Sequence, residues 1–463
     1  MAEFVGYGIN KYTQLTPSMA NAAGTSASAS GVSSPTVRSR TDSVADHASA
    51  RIFLDARDTT EYGVLRTFAR IQWDRSSGSD DNSGSQPRRG QYFSGSGGQY
   101  SNLQTGFSGS EAFVQLGGAL IGRTTSFAAV SSPSLQFTTQ NPSAGRVNQA
   151  AFTAALGSGM SLTAAIEDGA ELREGTNGAT YTSASQVISV AATTSSSITN
   201  KFKMGTTALG GAGVATAYAA GSTVAVGDIV LNTNPTVNQY PIPNSTPDAV
   251  ASFDVAQSWG TMKLAGVLHY NQGIPTTTID GKTGYAVMSS AKINMPMIAA
   301  GDYISVFGAY GLGAAGRTIG GAATDTSGLQ NAAMGMGNAV WSLYDSVVVN
   351  GELNLSKSYS FGGEFKHYFA PSVAAYVGGT FGAINYGAGK NYASTSAMDP
   401  HNANMWGTAI GLIWTPVAGF EVNPEVAYRK ANISSATGVN NGNKTGVKSD
   451  DQYIGRLRVA RSF

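Results

Sequence analysis

The chain has 463 residues, 41% hydrophobic and 12% charged, with a net charge of +1. The charged fraction is about half that of soluble globular domains, and the balanced charge argues against polynucleotide binding by bulk electrostatics. The absence of cysteine excludes a disulfide framework and a thiolate metal site, and no apolar run reaches the roughly 18 residues of a spanning helix.

The first candidate strand, 3–9, lies in "MAEFVGYGIN", where no signal peptide is visible; for an exported protein this would be a processed form with an initiator Met, or a trimmed sequence. After a Gly/Ser/Thr-rich stretch, "ASARIFLDAR" sets Ala48, Ala50, Ile52, Leu54 and Ala56 against Ser49, Arg51, Phe53, Asp55 and Arg57. "YGVLRTFARIQW" then sets Gly63, Leu65, Ala69, Ile71 and Trp73 against Arg66, Arg70 and Gln72. Period-two alternation is the mark of a strand with two unlike faces. Further candidates follow at 110–117, 119–125, 148–156, 160–168 and 248–258. "TMKLAGVLHY" opposes Met262, Leu264, Gly266, Leu268 and Tyr270 to Lys263 and His269. Another candidate lies at 359–368; those at 284–293, 302–310 and 373–386 alternate poorly and are placed mostly by their neighbours. "MWGTAIGLIW" puts Trp406, Ile410, Leu412 and Trp414 on one side. "FEVNPEVAYR" puts Phe420, Val422, Pro424, Val426 and Tyr428 opposite Glu421, Asn423, Glu425 and Arg429. The last candidate, 453–463, ends on Phe463 and carries Arg461 on its apolar face.

Connections alternate in length. "DTTEYG", "GSG", "WG", "AP" and "PVAG" are tight, whereas roughly 11–47, 75–109, 126–147, 169–247, 271–283, 311–358, 387–404 and 431–451 are long. Candidate strands of about 9–11 residues match tilted bilayer-spanning strands, not soluble ones with a mode near 5–6. Trp73, Trp259, Trp406 and Trp414 fall at strand ends, as interfacial girdles require. In lipid an unpaired sheet edge costs several kcal/mol per backbone group, so the last strand must pair with the first. The expectation is an all-β fold: one 16-stranded antiparallel transmembrane barrel over 1–463, with short periplasmic turns and long extracellular loops. One strand face meets lipid and the other a watery lumen. Arg461 sits near the end, where its stem carries the charge to the interface.

These blocks resemble the sixteen-stranded general porins of the alphaproteobacterial outer membrane. "ARIFLDARDTTEYGVLRTFARIQW" is similar to that family's Arg-bearing hairpin, and "EAFVQLGGALIGRTTSF" resembles the hairpin before its inward-folded third loop. "FKHYFAP" and "GRLRVARSF" are similar to its late hairpin and terminal strand. The resemblance implies a homotrimer in the outer membrane, with a water-filled pore per chain and a third loop narrowing it. It implies barrel-assembly recognition through Phe463 and an Arg ladder at Arg51, Arg57, Arg66 and Arg70; by its strand-end position Phe463 also joins the four tryptophans in the girdle. Asp55, Arg123 and Arg146 join them as lining candidates. The matching third loop, "SFAAVSSPSLQFTTQNPSAGR", has no Asp or Glu, a departure from the family's usual acidic loop.

Other motifs carry less. "GLGAAG" at 311–316 matches a dinucleotide fingerprint, but the glycine-bearing stretch after it, "RTIGGAATDTSG", forms a helix poorly. "GKT" at 281–283 lacks the earlier glycine of a phosphate loop. Asp74, Asp80 and Asp81 are oxygen ligands suited to Ca²⁺ without calcium-loop spacing, and a solvated external loop accounts for them. No HExxH, G-x-S-x-G or cysteine nucleophile is present. No cofactor, nucleic acid or enzymatic reaction is expected. The expected function is passive diffusion of ions and small hydrophilic solutes, with a mild preference for anions. The alternatives are a substrate-specific channel for a sugar or small organic acid, plugged by 126–147 and 169–247, and a soluble Gly/Ser/Thr-rich adhesin or lectin-like sandwich.

Overall fold

A computed structural model of the protein describes residues 2–9, 44–77, 103–130, 145–172, 176–181, 187–188, 229–230, 246–273, 279–319, 333–336, 339–349, 352–387, 402–437 and 447–462. Their principal feature is an antiparallel sheet of 15–16 strands. Its members are β1 (Ala2–Ile9), β2 (Val44–Thr60), β3 (Gly63–Ser77), β4 (Leu103–Leu116), β5 (Ala119–Thr125) and β6 (Arg146–Gly157). Next come β7 (Met160–Asp168), β8 (Asp248–Gln257), β9 (Gly260–Asn271), β10 (Lys282–Asn294) and β11 (Tyr303–Leu312). The last are β12 (Lys357–Ala370), β13 (Val373–Asn385), β14 (Ala403–Val417), β15 (Phe420–Thr437) and β16 (Val447–Arg461). Strands β2 to β16 pair in sequence order, and β1 bonds β2 on one side and β16 on the other.

Every candidate strand is present, including the three with poor alternation, and 119–125 and 160–168 match to the residue. Several strands run beyond the expected ends on the long-loop side. β15 extends to Thr437 and still pairs there with Val447. Ladder pairing continues there past the residues whose alternation marks the strand in the sequence. β16 ends at Arg461, and Phe463 lies outside the described residues.

Side chains alternate as the period-two pattern requires. On β9, Met262, Leu264 and Leu268 are exposed while Ala265, Val267 and His269 are buried. On β15, Val426 is exposed and Asn423, Glu425 and Arg429 are buried. The exposed face is thus the apolar one, and the polar face is covered, so the polar face looks inward.

Turn chemistry fixes the register of the hairpins. Between β6 and β7, Ser158 (φ 49°) and Gly159 (φ 71°) both take positive φ, the geometry of a tight hairpin that matches strand twist. The β10–β11 turn is longer and is tied by Met295 N donating to Asp302 O at 2.8 Å. At the end of the sheet, Arg461 Nη1 donates to Ala418 O at 2.5 Å, so this cation on the apolar face is anchored at the β14–β15 turn.

Within the stretch 311–358, expected as a plain loop, the described residues 313–319 and 343–348 are buried against the inward face. The stretch contains the short helix α1 (Ala315–Thr318) and strands at Ala333–Met336, Ala339–Ser342, Ser346–Val349 and Glu352–Leu355. Ser346–Val349 also pairs in parallel with Thr176–Tyr181, which ties in part of the stretch 169–247.

Candidate pore lining

Two contrasting walls form the inward surface. The first is built by β2–β4. Register sets Arg51 opposite Gln72, Phe53 opposite Arg70, Asp55 opposite Phe68 and Arg57 opposite Arg66. The next strand sets Gln115 beside Arg66, Phe113 beside Phe68 and Glu111 beside Arg70. Asp55 accepts from both Arg57 and Arg66, at 2.8 Å and 2.9 Å. Glu111 lies 3.4 Å from Arg70 and from Arg146, and accepts from Thr124 Oγ1 at 3.1 Å. Arg51 and Arg70 both donate to Gln72 Oε1. Among the described side chains, five guanidinium groups share this wall with two carboxylates, and register places Asp74, opposite Ser49, on the same face.

The ladder candidates Arg51, Arg57, Arg66 and Arg70 share this one face, with Asp55 among them. Arg146, at the first position of β6, reaches the same group through Glu111. Arg123 does not share that face. It pairs with Ala112 and Asn148, in step with Ile121 and Phe152 on the exposed apolar side. Its parity with Ile121 in "ALIGRTT" is the signal that separates it from the ladder. Glu111 escaped the sequence reading, although "EAFVQ" places it in step with Phe113 and Gln115 on one face.

The second wall, β7–β11, is covered. Arg317 of α1 is fully buried, its Nη2 2.6 Å from Asp248 Oδ2 and its Nη1 2.8 Å from Glu167 Oε2. His269 Nδ1 lies 2.8 Å from the other Asp248 oxygen, and its Nε2 lies 3.5 Å from Asp345 Oδ2. The start of the third long loop joins the same cluster. Ser126 Oγ donates to Glu167 at 2.8 Å, and the Phe127 N–H donates to it at 2.9 Å. Charges buried in this way persist only with full pairing, and each carboxylate here has a cationic or N–H partner. Farther round, Leu343, Tyr344 and Val347 pack with Ile384, Tyr386, Ala403 and Ala431 at the long-loop ends of β13–β15. Described parts of the 311–358 segment thus reach both β7 and the long-loop end of β15. None of these residues was a site candidate, because the partners meet across loops with no periodic signature.

Beyond it, Tyr376 donates to Glu425 Oε2 at 2.6 Å, Arg456 Nη2 donates to Asn423 at 2.6 Å, and Arg458 pairs with Glu421.

The remaining motifs resolve simply. In "GLGAAG", Gly313 (φ 64°) turns the chain, and the Gly316 N–H donates to Asp345 Oδ1 at 3.2 Å; a carboxylate of the chain itself occupies the helix start. "GKT" runs from a loop residue into β10. Asp80 and Asp81 lie outside the described residues, as does the side chain of Asp74. Trp73, Trp406 and Trp414 are exposed on the outer face, and Trp259 is exposed in the β8–β9 turn.

A family model described as "Porin subfamily" matches residues 20–456. The chain belongs to the porin family. It is accordingly an outer-membrane β-barrel channel through which solutes pass by passive diffusion. Among solved structures, this porin is similar to the outer membrane channel DcaP of Acinetobacter baumannii, with 13% identity and a TM-score of 0.54, over 100% of this chain and 95% of that one. An anion-selective porin from Comamonas acidovorans matches at 8% identity and a TM-score of 0.43, over 100% and 98% of the two chains. OmpF of Salmonella typhi matches at 11% identity and a TM-score of 0.40, over 99% and 96%. No curated protein matches the sequence.

Proposed function

We propose that the chain forms a closed sixteen-stranded barrel of the alphaproteobacterial general-porin type, whose water path runs along the β2–β4 wall and favours small anions. The observation that carries this reading is the grouping of Arg51, Arg57, Arg66, Arg70 and Arg146 with Asp55 and Glu111 among the described side chains of this wall. Guanidinium stays charged at any working pH, and fixed lining charge is how pores discriminate between ions. The pairing of β1 with both β2 and β16 supports closure. The bonds from Ser126 and Phe127 to Glu167 support an inward third loop. The reversal potential across a potassium chloride gradient tests the preference. Wild type is expected to favour chloride, and Arg66→Gln with Arg70→Gln to reduce that preference. Cation preference in wild type overturns it.

The tryptophans fit two girdles. Trp406 and Trp414 lie eight residues apart on β14, about 27 Å along a strand at roughly 3.4 Å per residue. A tilt of about 40° shortens this to about 20 Å, close to the apolar band of a barrel at about 25 Å. Phe463 would complete the lower girdle and serve barrel assembly. Association as a homotrimer is part of the same reading, and three equal conductance steps per insertion test it.

The infolded segment around Arg317 favours a second reading, a channel narrowed toward one class of solute. Saturation of the current by a single sugar or small organic acid would distinguish it from unselective diffusion.

A further inference from the structure

Three phenylalanine rings face inward on the arginine wall. Phe53, Phe68 and Phe113 lie on the adjacent strands β2, β3 and β4, with Phe68 and Phe113 directly paired. The Phe53 and Phe68 centroids are 6.3 Å apart; those of Phe68 and Phe113 are 5.2 Å apart with the rings inclined by only 22°. The Arg66 Cζ lies 5.2 Å from the centroids of both Phe68 and Phe113, and the Arg70 Cζ lies 5.8 Å from that of Phe53. Each guanidinium therefore rests against an aromatic face.

A structural role, rings filling space beneath the arginines, would leave them covered. Phe307, inward on β11, shows that case at 5% exposed; Phe53 is 48% exposed. On this face an open phenyl ring meets water, which is unfavourable unless a passing solute takes the water's place. The neighbouring cations also have capacity left. Asp55 accepts two N–H groups from Arg57 and two from Arg66, out of five donors on each guanidinium.

We infer that this patch is a binding step for aromatic carboxylates, the ring stacking on Phe53 and Phe68 while the carboxylate takes N–H donors of Arg57 or Arg66. The inference rests on the anion-conducting reading above and deepens it. An aliphatic acid supplies the charge without the ring, and a neutral aromatic supplies the ring without the charge; each makes half of the contacts.

The test is a planar-bilayer recording of the full-length protein in chloride electrolyte with benzoate, acetate or benzyl alcohol added. Benzoate is expected to reduce the current with a saturating dose dependence, at a concentration about fivefold below that of either other solute. Phe53→Leu should raise the half-saturating benzoate concentration about fivefold. Phe361→Leu, on the outer face of β12, should leave it at the wild-type value. Equal responses to benzoate and acetate in wild type overturn the inference, without needing any variant to fold, as does an unchanged benzoate response in Phe53→Leu. A channel that favours chloride but treats benzoate as acetate defeats the binding step alone. Absence of current, or cation preference, defeats the reading beneath it.

Discussion

Arg317 and Asp248 are 69 residues apart in sequence, yet their side chains meet at 2.6 Å with both fully buried. One comes from the α1 segment, packed on the inward face, and the other from the first position of β8. With Glu167 on the far side of the guanidinium, this ion triplet holds the segment against the wall.

Arg317→Met removes the cation and leaves two buried carboxylates beside an apolar side chain. Breaking a buried pair from one side costs about 3–5 kcal/mol. The segment is expected to leave the wall, so single-channel conductance should rise and the temperature of unfolding in detergent should fall. Wild-type conductance together with wild-type stability would show that the triplet holds nothing.

Tyr376 and Gly411 make a second testable pair. They are register partners, and Gly411 in turn faces Glu425. A Cβ at Gly411 would lie 2.2 Å from both Cζ and Oη of Tyr376, because the tyrosine crosses the bare backbone to reach Glu425. Gly411→Ala must displace the ring and its hydrogen bond, at a cost of about 1–3 kcal/mol. In a Tyr376→Ala background the same substitution should be nearly neutral. A double-mutant cycle by thermal unfolding reads the coupling, and additive effects would contradict the crossing.

The β10–β11 turn carries a pH-dependent contribution. Burial alone would raise the Asp302 carboxyl, but the hydrogen bonds from His367 at 2.6 Å and the Tyr368 N–H at 2.7 Å outweigh it and hold the group below the ordinary aspartate value. A depressed folded-state pKa stabilises at pH above the unfolded value of about 3.9, and the gain is lost as pH falls through the folded value. The stability difference between wild type and Asp302→Asn should therefore be full near pH 6 and shrink below about pH 4. A pH-independent difference in unfolding temperature would assign the effect to packing alone.

Ser158 is a non-glycine residue at φ 49° in the β6–β7 hairpin. Left-handed backbone disfavours a Cβ, so Ser158→Gly or Ser158→Asn should stabilise by a few tenths to about 1 kcal/mol. Urea unfolding in detergent measures it. A loss of stability from both substitutions would show that the serine side chain contributes more than the strain removes.

The strand framework and its two faces were legible because each strand records its environment locally. Alternating residues meet alternating surroundings, and a one-residue slip would reverse every side chain. That is why "TMKLAGVLHY" and "FEVNPEVAYR" orient as their letters imply, and why Arg51, Arg57, Arg66 and Arg70 share one face. The same parity argument, applied to "ALIGRTT", sets Arg123 with Ile121 and apart from that ladder. Only the tertiary structure packs 313–319 and 343–348 against the inward face and joins Arg317 to Asp248 and Glu167. A Gly/Ser/Thr-rich stretch has the same composition whether it lies outside the mouth or within it. Where it goes is decided by a few buried ion pairs between distant residues, which carry no period to read.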